Sequence, residues 1–155
     1  MPTFTERQQM MATLREFPSK LEKMVQALTD RQLDKPAGEE DWTIRQVVHH
    51  LADSHMNSFI RLKLMLTEDN PTLKPYRQEA WAVLPDTQDF PVQSSLLILK
   101  GLHERWVKLF EQLTEDEWAR PGYHPEIGAI KVEDLLVTYA RHCEDHTDQI
   151  MRLLD

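Results

Sequence analysis

The sequence predicts an all-α fold, a four-helix bundle, and three observations lead there. Four segments of roughly 20 residues carry apolar positions at helical spacing. No run of alternating apolar and polar residues marks a strand. The 155 residues include only 4 Gly, too few for the many tight turns of a β-sandwich. Residues 1–155 are read as one domain of ordinary size, and 41% hydrophobic against 28% charged residues is the balance of a folded protein.

The first helix has the seam Met10, Leu14, Phe17, Leu21, Met24 and Leu28, with Pro18 inside it as a kink or local break. The second begins at Thr43, where Thr43-x-x-Gln46 reads as a capping box, and continues through Ile44, Val47, Val48, Leu51, His55, Ser58, Leu62 and Met65. The third follows Asp89-Phe90-Pro91, with Pro91 near its first turn and a seam of Leu99, Leu102, Trp106, Leu109 and Leu113. The fourth runs from Val132 to Leu154. Residues 29–42 and 114–131 form medium loops. Residues 68–90 form a long one, expected to be functional or to carry its own short helix. Leu28-Thr29-Asp30-Arg31-Gln32-Leu33 echoes Leu113-Thr114-Glu115-Asp116-Glu117-Trp118, each after an odd-numbered helix. Glu39-Glu40-Asp41 reads as a solvated loop, and Trp42, Trp81 and Trp118 as caps over the core.

Net charge of −8 argues against nucleic acid as a partner, because duplex binding draws on a basic surface. No apolar run of about 18 residues could cross a membrane, and no basic-then-apolar signal precedes the first helix. The expected location is cytoplasmic, with no membrane partner. One Cys against 7 His leaves any metal site to nitrogen ligands.

On a helical wheel of the fourth helix, with Val132 at zero, His142 falls at about 280° and His146 at about 320°, beside Leu135 and Leu153 at about 300°. Both therefore lie in the apolar stripe, one turn apart, where two imidazoles can reach one ion. The bland alternative is a pair of hydrogen-bonded core histidines. A third ligand has to come from a facing helix, and the second offers His49, His50 and His55. His55 is central in its stripe and His50 on the flank, so periodicity leans towards His55. The zincin pattern is absent: Cys143 follows His142 where that motif places its glutamate, and Glu144 points outward. Cys143 is read as core, and Tyr76 and Trp81 as residues able to wall a pocket. His124-Pro125-Glu126 reads as a turn. No phosphate loop, nucleophile elbow or Cys-x-x-Cys is present.

The stretch Trp42-Thr-Ile-Arg-Gln-Val-Val-His-His-Leu-Ala-Asp-Ser-His-Met-Asn-Ser-Phe-Ile-Arg61 resembles the DinB-like bundles, most closely the YfiT-like branch. So do Pro75-Tyr76 with Trp81, Leu102-His103-Glu104-Arg105-Trp106, Tyr123-His124-Pro125-Glu126 and Tyr139-Ala-Arg-His142 with His146. The resemblance runs from about Thr5 to Leu153. It implies a divalent metal, zinc or nickel, held by His50, His142 and His146, which decides for His50 over His55. It implies a homodimer and a small-molecule substrate. It also implies one of two chemistries: metal-dependent hydrolysis, or transfer of a low-molecular-weight thiol such as bacillithiol. The alternatives are a non-catalytic metal-binding bundle in stress response, and a bundle without metal. Arg141, Asp145 and Gln149 depart from the family pattern. Asp145 and Gln149 are either groups that orient imidazoles or solvent-facing residues. The N-terminus lacks an extension seen in some relatives. Asp53, Ser54, His55 and Tyr76 are unranked candidates for a general base.

Overall fold

In the computed structural model, which describes residues 1–36 and 41–155, the four predicted helices are α1 (Phe4–Val25), α3 (Ile44–Thr67), α6 (Gln93–Glu111) and α8 (Val132–Leu154). Glu39 and Glu40 lie outside the described residues. Between the long helices sit four single turns, α2 (Asp30–Leu33), α4 (Gln78–Trp81), α5 (Pro85–Gln88) and α7 (Glu115–Trp118), and a hairpin of β1 (Pro121–His124) and β2 (Gly128–Lys131).

Local chemistry places the boundaries. Thr43 caps α3 reciprocally with Gln46, as the motif predicts. The sequence echo is a structural one: Thr29 with Gln32 and Thr114 with Glu117 are both capping boxes, each opening a one-turn helix. α1 runs through Pro18 without a break, contrary to one of the two expectations for it. Pro91 lies before the N-cap Val92 of α6, just outside the helix. The hairpin is an addition. Its strands are four residues each, too short to show a period, and Gly128 closes its turn at φ +87°.

The stripe predicted for α3 is buried; on α8 Val132, Leu135, Leu136, Tyr139, Cys143, Ile150 and Leu153 are buried, His142 and His146 are half-buried, and Leu154 at the helix end is exposed. On α6 the buried face is Leu96, Leu99, His103, Trp106, Val107 and Phe110, rotated from the expected seam, while Leu102, Leu109 and Leu113 pack against its flank. Trp118 stacks on Phe110 at 5.3 Å, with the Arg7 guanidinium 4.7 Å from its ring centroid, so it caps the core as expected.

Cross-contacts define the topology. α1 packs on α6 and α8, and α3 packs on the same two, so α1 and α3 are diagonal. Arg15 pairs with Glu111 near the end of α6, so α1 and α6 are antiparallel. Arg7 reaches Glu133 at the start of α8, so α1 and α8 run the same way. His49 meets Ser95 and His55 meets His103, making α3 and α6 parallel. Two parallel consecutive helices need a connection as long as the bundle, about 36 Å for 24 residues of helix. That requirement explains the long loop. It runs back along α3, where Arg61 holds the carbonyl of Lys74, Gln46 that of Ala82, and Arg45 and His49 that of Phe90.

The loop starts against the hairpin, through Leu73 N to Tyr123 O at 2.7 Å and Tyr123 N to Pro71 O at 2.9 Å. Gly122 lies beneath this junction: a Cβ there would stand 2.9 Å from Met65 Cγ and 3.1 Å from Leu73 Cδ1. Gly122→Ala is therefore expected to destabilise the fold by about 1–3 kcal/mol through overpacking. Urea unfolding checks it, and an unchanged midpoint would contradict the close packing.

Candidate metal centre

His50 lies early in α3, and His142 and His146 lie one turn apart about the middle of α8. These helices are antiparallel neighbours, so the start of one faces the far half of the other. The structure brings the three residues together: each offers a ring nitrogen, and all three nitrogens fall within 4.8 Å of one another. Among the described residues no other group of three metal-ligating side chains does so. His142 Nε2 and His146 Nε2 are 3.0 Å apart. Two nitrogens bound to one tetrahedral zinc at about 2.0–2.1 Å each would stand about 3.3 Å apart, so this spacing fits a shared ion.

Protonation also suits ligation. Burial pushes His50 and His142 down to about 3, and the neighbouring His146 adds repulsion. His146 is itself lowered by burial. Neutral imidazoles with a free lone pair are the form that binds metal at pH 7. Trp42 covers His50 at 4.6 Å between ring centroids. Gln149 Oε1 accepts from His146 Nδ1 at 2.8 Å, whereas exposed Asp145 faces Arg141. Of the two polar departures from the family pattern, one therefore orients an imidazole and the other faces solvent.

His55 and His103 lie behind the cluster. His55 Nε2 is 3.1 Å from His142 Nδ1, and His55 Nδ1 is 2.8 Å from His103 Nε2. The apolar stripe was correct about the burial of His55, which is fully enclosed and faces the rear of the three-histidine cluster. His103 was missed as an interior polar group. Its spacing of four from Leu99 and three before Trp106 was the available signal. His49 is fixed between Ser95 Oγ and the Phe90 carbonyl. His124 is buried in β1, where its Nδ1 accepts from Glu126 N in the turn. Cys143 is core, and burial pushes its thiol up.

Asp53, three residues after His50, is half-buried. Its carboxyl is pushed up to about 6, by burial first and by Asp86 second. Tyr76 lies tilted against Trp81 at 4.7 Å between ring centroids, and its buried hydroxyl, beside Ser54, makes no hydrogen bond of normal geometry. A groove of about 460 Å³ lies between α1 and α6, on the opposite edge of the bundle from the α3–α8 contact.

A family model described as the DinB superfamily matches residues 13–150. Relatives in Bacillus cereus and Bacillus thuringiensis, both named "Putative metal-dependent hydrolase", are 46% identical over 140 residues, spanning 90% of this chain and 80% of theirs. The chain also superposes on the solved structure of YfiT from Bacillus subtilis with a TM-score of 0.95 and 42% identity, covering 99% of this chain and 88% of that one. That protein is described as a probable metal-dependent hydrolase with an unusual four-helix bundle topology.

Proposed function

This chain belongs to the DinB superfamily, and from that premise we propose that it is a metal-dependent enzyme whose His50, His142 and His146 hold one zinc or nickel ion. The observation that carries the reading is three neutral imidazoles, from two facing helices, with ring nitrogens within 4.8 Å. A dication held by three neutral ligands keeps a position open and lowers the pKa of a bound water or thiol. The first reading is hydrolysis, which the names of the relatives favour. Transfer of a low-molecular-weight thiol such as bacillithiol is the alternative use of the same centre. The substrate is a small molecule, the protein a cytoplasmic homodimer, and neither nucleic acid nor membrane is a partner. No described helix is long and apolar enough to cross a membrane.

The chain's own groups supply the rest. Asp53, held at about 6, is ionised at neutral pH yet basic enough to take a proton from an incoming nucleophile. Tyr76 Oη, without a hydrogen-bond partner, can donate to a bound ligand. Gln149 holds His146 with its Nε2 towards His142.

Metal analysis of protein purified without a polyhistidine tag tests the reading. About one equivalent of zinc or nickel per chain is expected; less than about a tenth, with no uptake on titration, would sink it. An activated ester, and bacillithiol with an electrophile, then separate the two chemistries.

A further inference from the structure

Pro18 has no N–H, so the helical hydrogen bond from residue 18 to the Leu14 carbonyl cannot form. Leu14 is fully buried, and an unpaired carbonyl there would be costly. His103 Nδ1, arriving from α6, lies 2.5 Å from that oxygen. Four helices thereby contribute to one line of contacts: Leu14 O on α1, His103 on α6, His55 on α3 and His142 on α8.

We propose that this line fixes the tautomer and orientation of His142, making His103 and His55 positioning residues for the metal centre, with the Leu14 carbonyl left open by Pro18 as its anchor. The inference rests on the metal-centre reading above. A carbonyl only accepts, so His103 must donate from Nδ1. A neutral imidazole carries one N–H, so His103 Nε2 is a lone pair and accepts from His55 Nδ1. His55 Nε2 is then a lone pair in turn and accepts from His142 Nδ1. That leaves His142 Nε2 as a bare lone pair. The reverse order is closed, because it would require the Leu14 oxygen to donate.

Gln149 fixes the other half. Its Oε1 accepts from His146 Nδ1, so His146 Nε2 is also a lone pair. Two acceptors therefore face each other at 3.0 Å with no proton to share, an arrangement that a cation satisfies. Outer partners of this kind typically change metal affinity by about 10–100-fold.

Two measurements test the proposal. In metal-free, 15N-labelled protein at neutral pH, long-range proton–nitrogen spectra should show His103, His55 and His142 as Nδ1–H tautomers. An Nε2–H form at His55 or His103 would overturn the wiring. Zinc affinity, by competition with a chelator, should fall about 10–100-fold in His55→Phe, while His55→Gln, whose amide oxygen can still accept from His142 Nδ1, should stay within about threefold. The phenyl ring fits among Phe17, Trp106 and Tyr139; should His55→Phe not fold, His103→Phe replaces it with the same expected loss. Equal affinity in the phenylalanine variant and wild type would overturn the positioning role and leave the metal centre intact. Wild-type zinc binding that His50→Ala leaves unchanged would instead refute the metal centre, and the tautomers would still decide the wiring.

Discussion

His142→Ala is expected to lose zinc affinity by a factor of about 100 or more and to fall to the activity of the metal-free protein. Apparent binding energies of about 10–16 kcal/mol for four-ligand zinc sites amount to roughly 3 kcal/mol per ligand, which is that factor or somewhat more. His142 touches both other members of the cluster: its Nε2 is 3.0 Å from His146 Nε2, and its ring lies 5.4 Å from that of His50. It also gives its other nitrogen to His55, so its loss leaves a buried acceptor unpaired. His50→Ala is the cleaner comparison, since His50 takes no part in the chain of hydrogen bonds through His55. Both variants should lose metal together, while circular dichroism reports whether the helices remain. Wild-type affinity in either one would place the ion elsewhere.

The fold was legible because its long helices obey local rules that survive packing. Thr43-x-x-Gln46 set the start of α3, and the apolar positions of α8 gave its full extent. Topology was not legible. Nothing in the seams of α1 and α3 says that they lie on a diagonal, or that α3 and α6 run parallel. Only the length of residues 68–90 hinted at a connection that must travel the whole bundle. The hairpin escaped because four-residue strands give no period, and because Tyr123 is held from outside by the backbone of residues 71 and 73.

The candidate site was half legible. His142 and His146 declared themselves by lying in an apolar stripe one turn apart. Periodicity leans towards His55, whereas the α3 histidine whose ring nitrogen groups with those of His142 and His146 is His50, and the reason is physical. A helix that contacts two neighbours buries more than its central line. His55 points to the bundle axis, between α6 and α8, while His50 on the flank faces α8 alone and meets His146. Pro18 read as a possible break for a similar reason. Sequence shows that a helical bond is missing, and only the structure shows which side chain takes the freed carbonyl.

The metal-free protein is expected to lose stability steeply as the pH falls below about 6.5, the ordinary histidine value. Folded-state values of about 3 for His50 and His142 and about 4 for His103 lie below that of the unfolded chain, and His55 is lowered as well. Above 6.5 these groups are neutral in both states, and their contribution to stability is fully present. Below it the unfolded chain binds protons that the folded one refuses, and each such histidine costs about 1.4 kcal/mol per pH unit until its folded value is reached. Asp53 has the opposite sign: folded, it takes a proton at about 6, before the unfolded chain does, and offsets one histidine down to the ordinary aspartate value of 3.8. His50, His142 and His103 less one aspartate leave about 3 kcal/mol per pH unit around pH 5, with His55 acting in the same direction, against a total stability on the order of 5–15 kcal/mol. Urea midpoints measured in chelator should thus be flat from about pH 8 to 7 and collapse between about pH 6 and 4. Saturating zinc should move the collapse to lower pH, because protons must then displace a ligand that binds only the folded state. A midpoint unchanged down to about pH 5 would mean that these histidines are not held neutral in the interior.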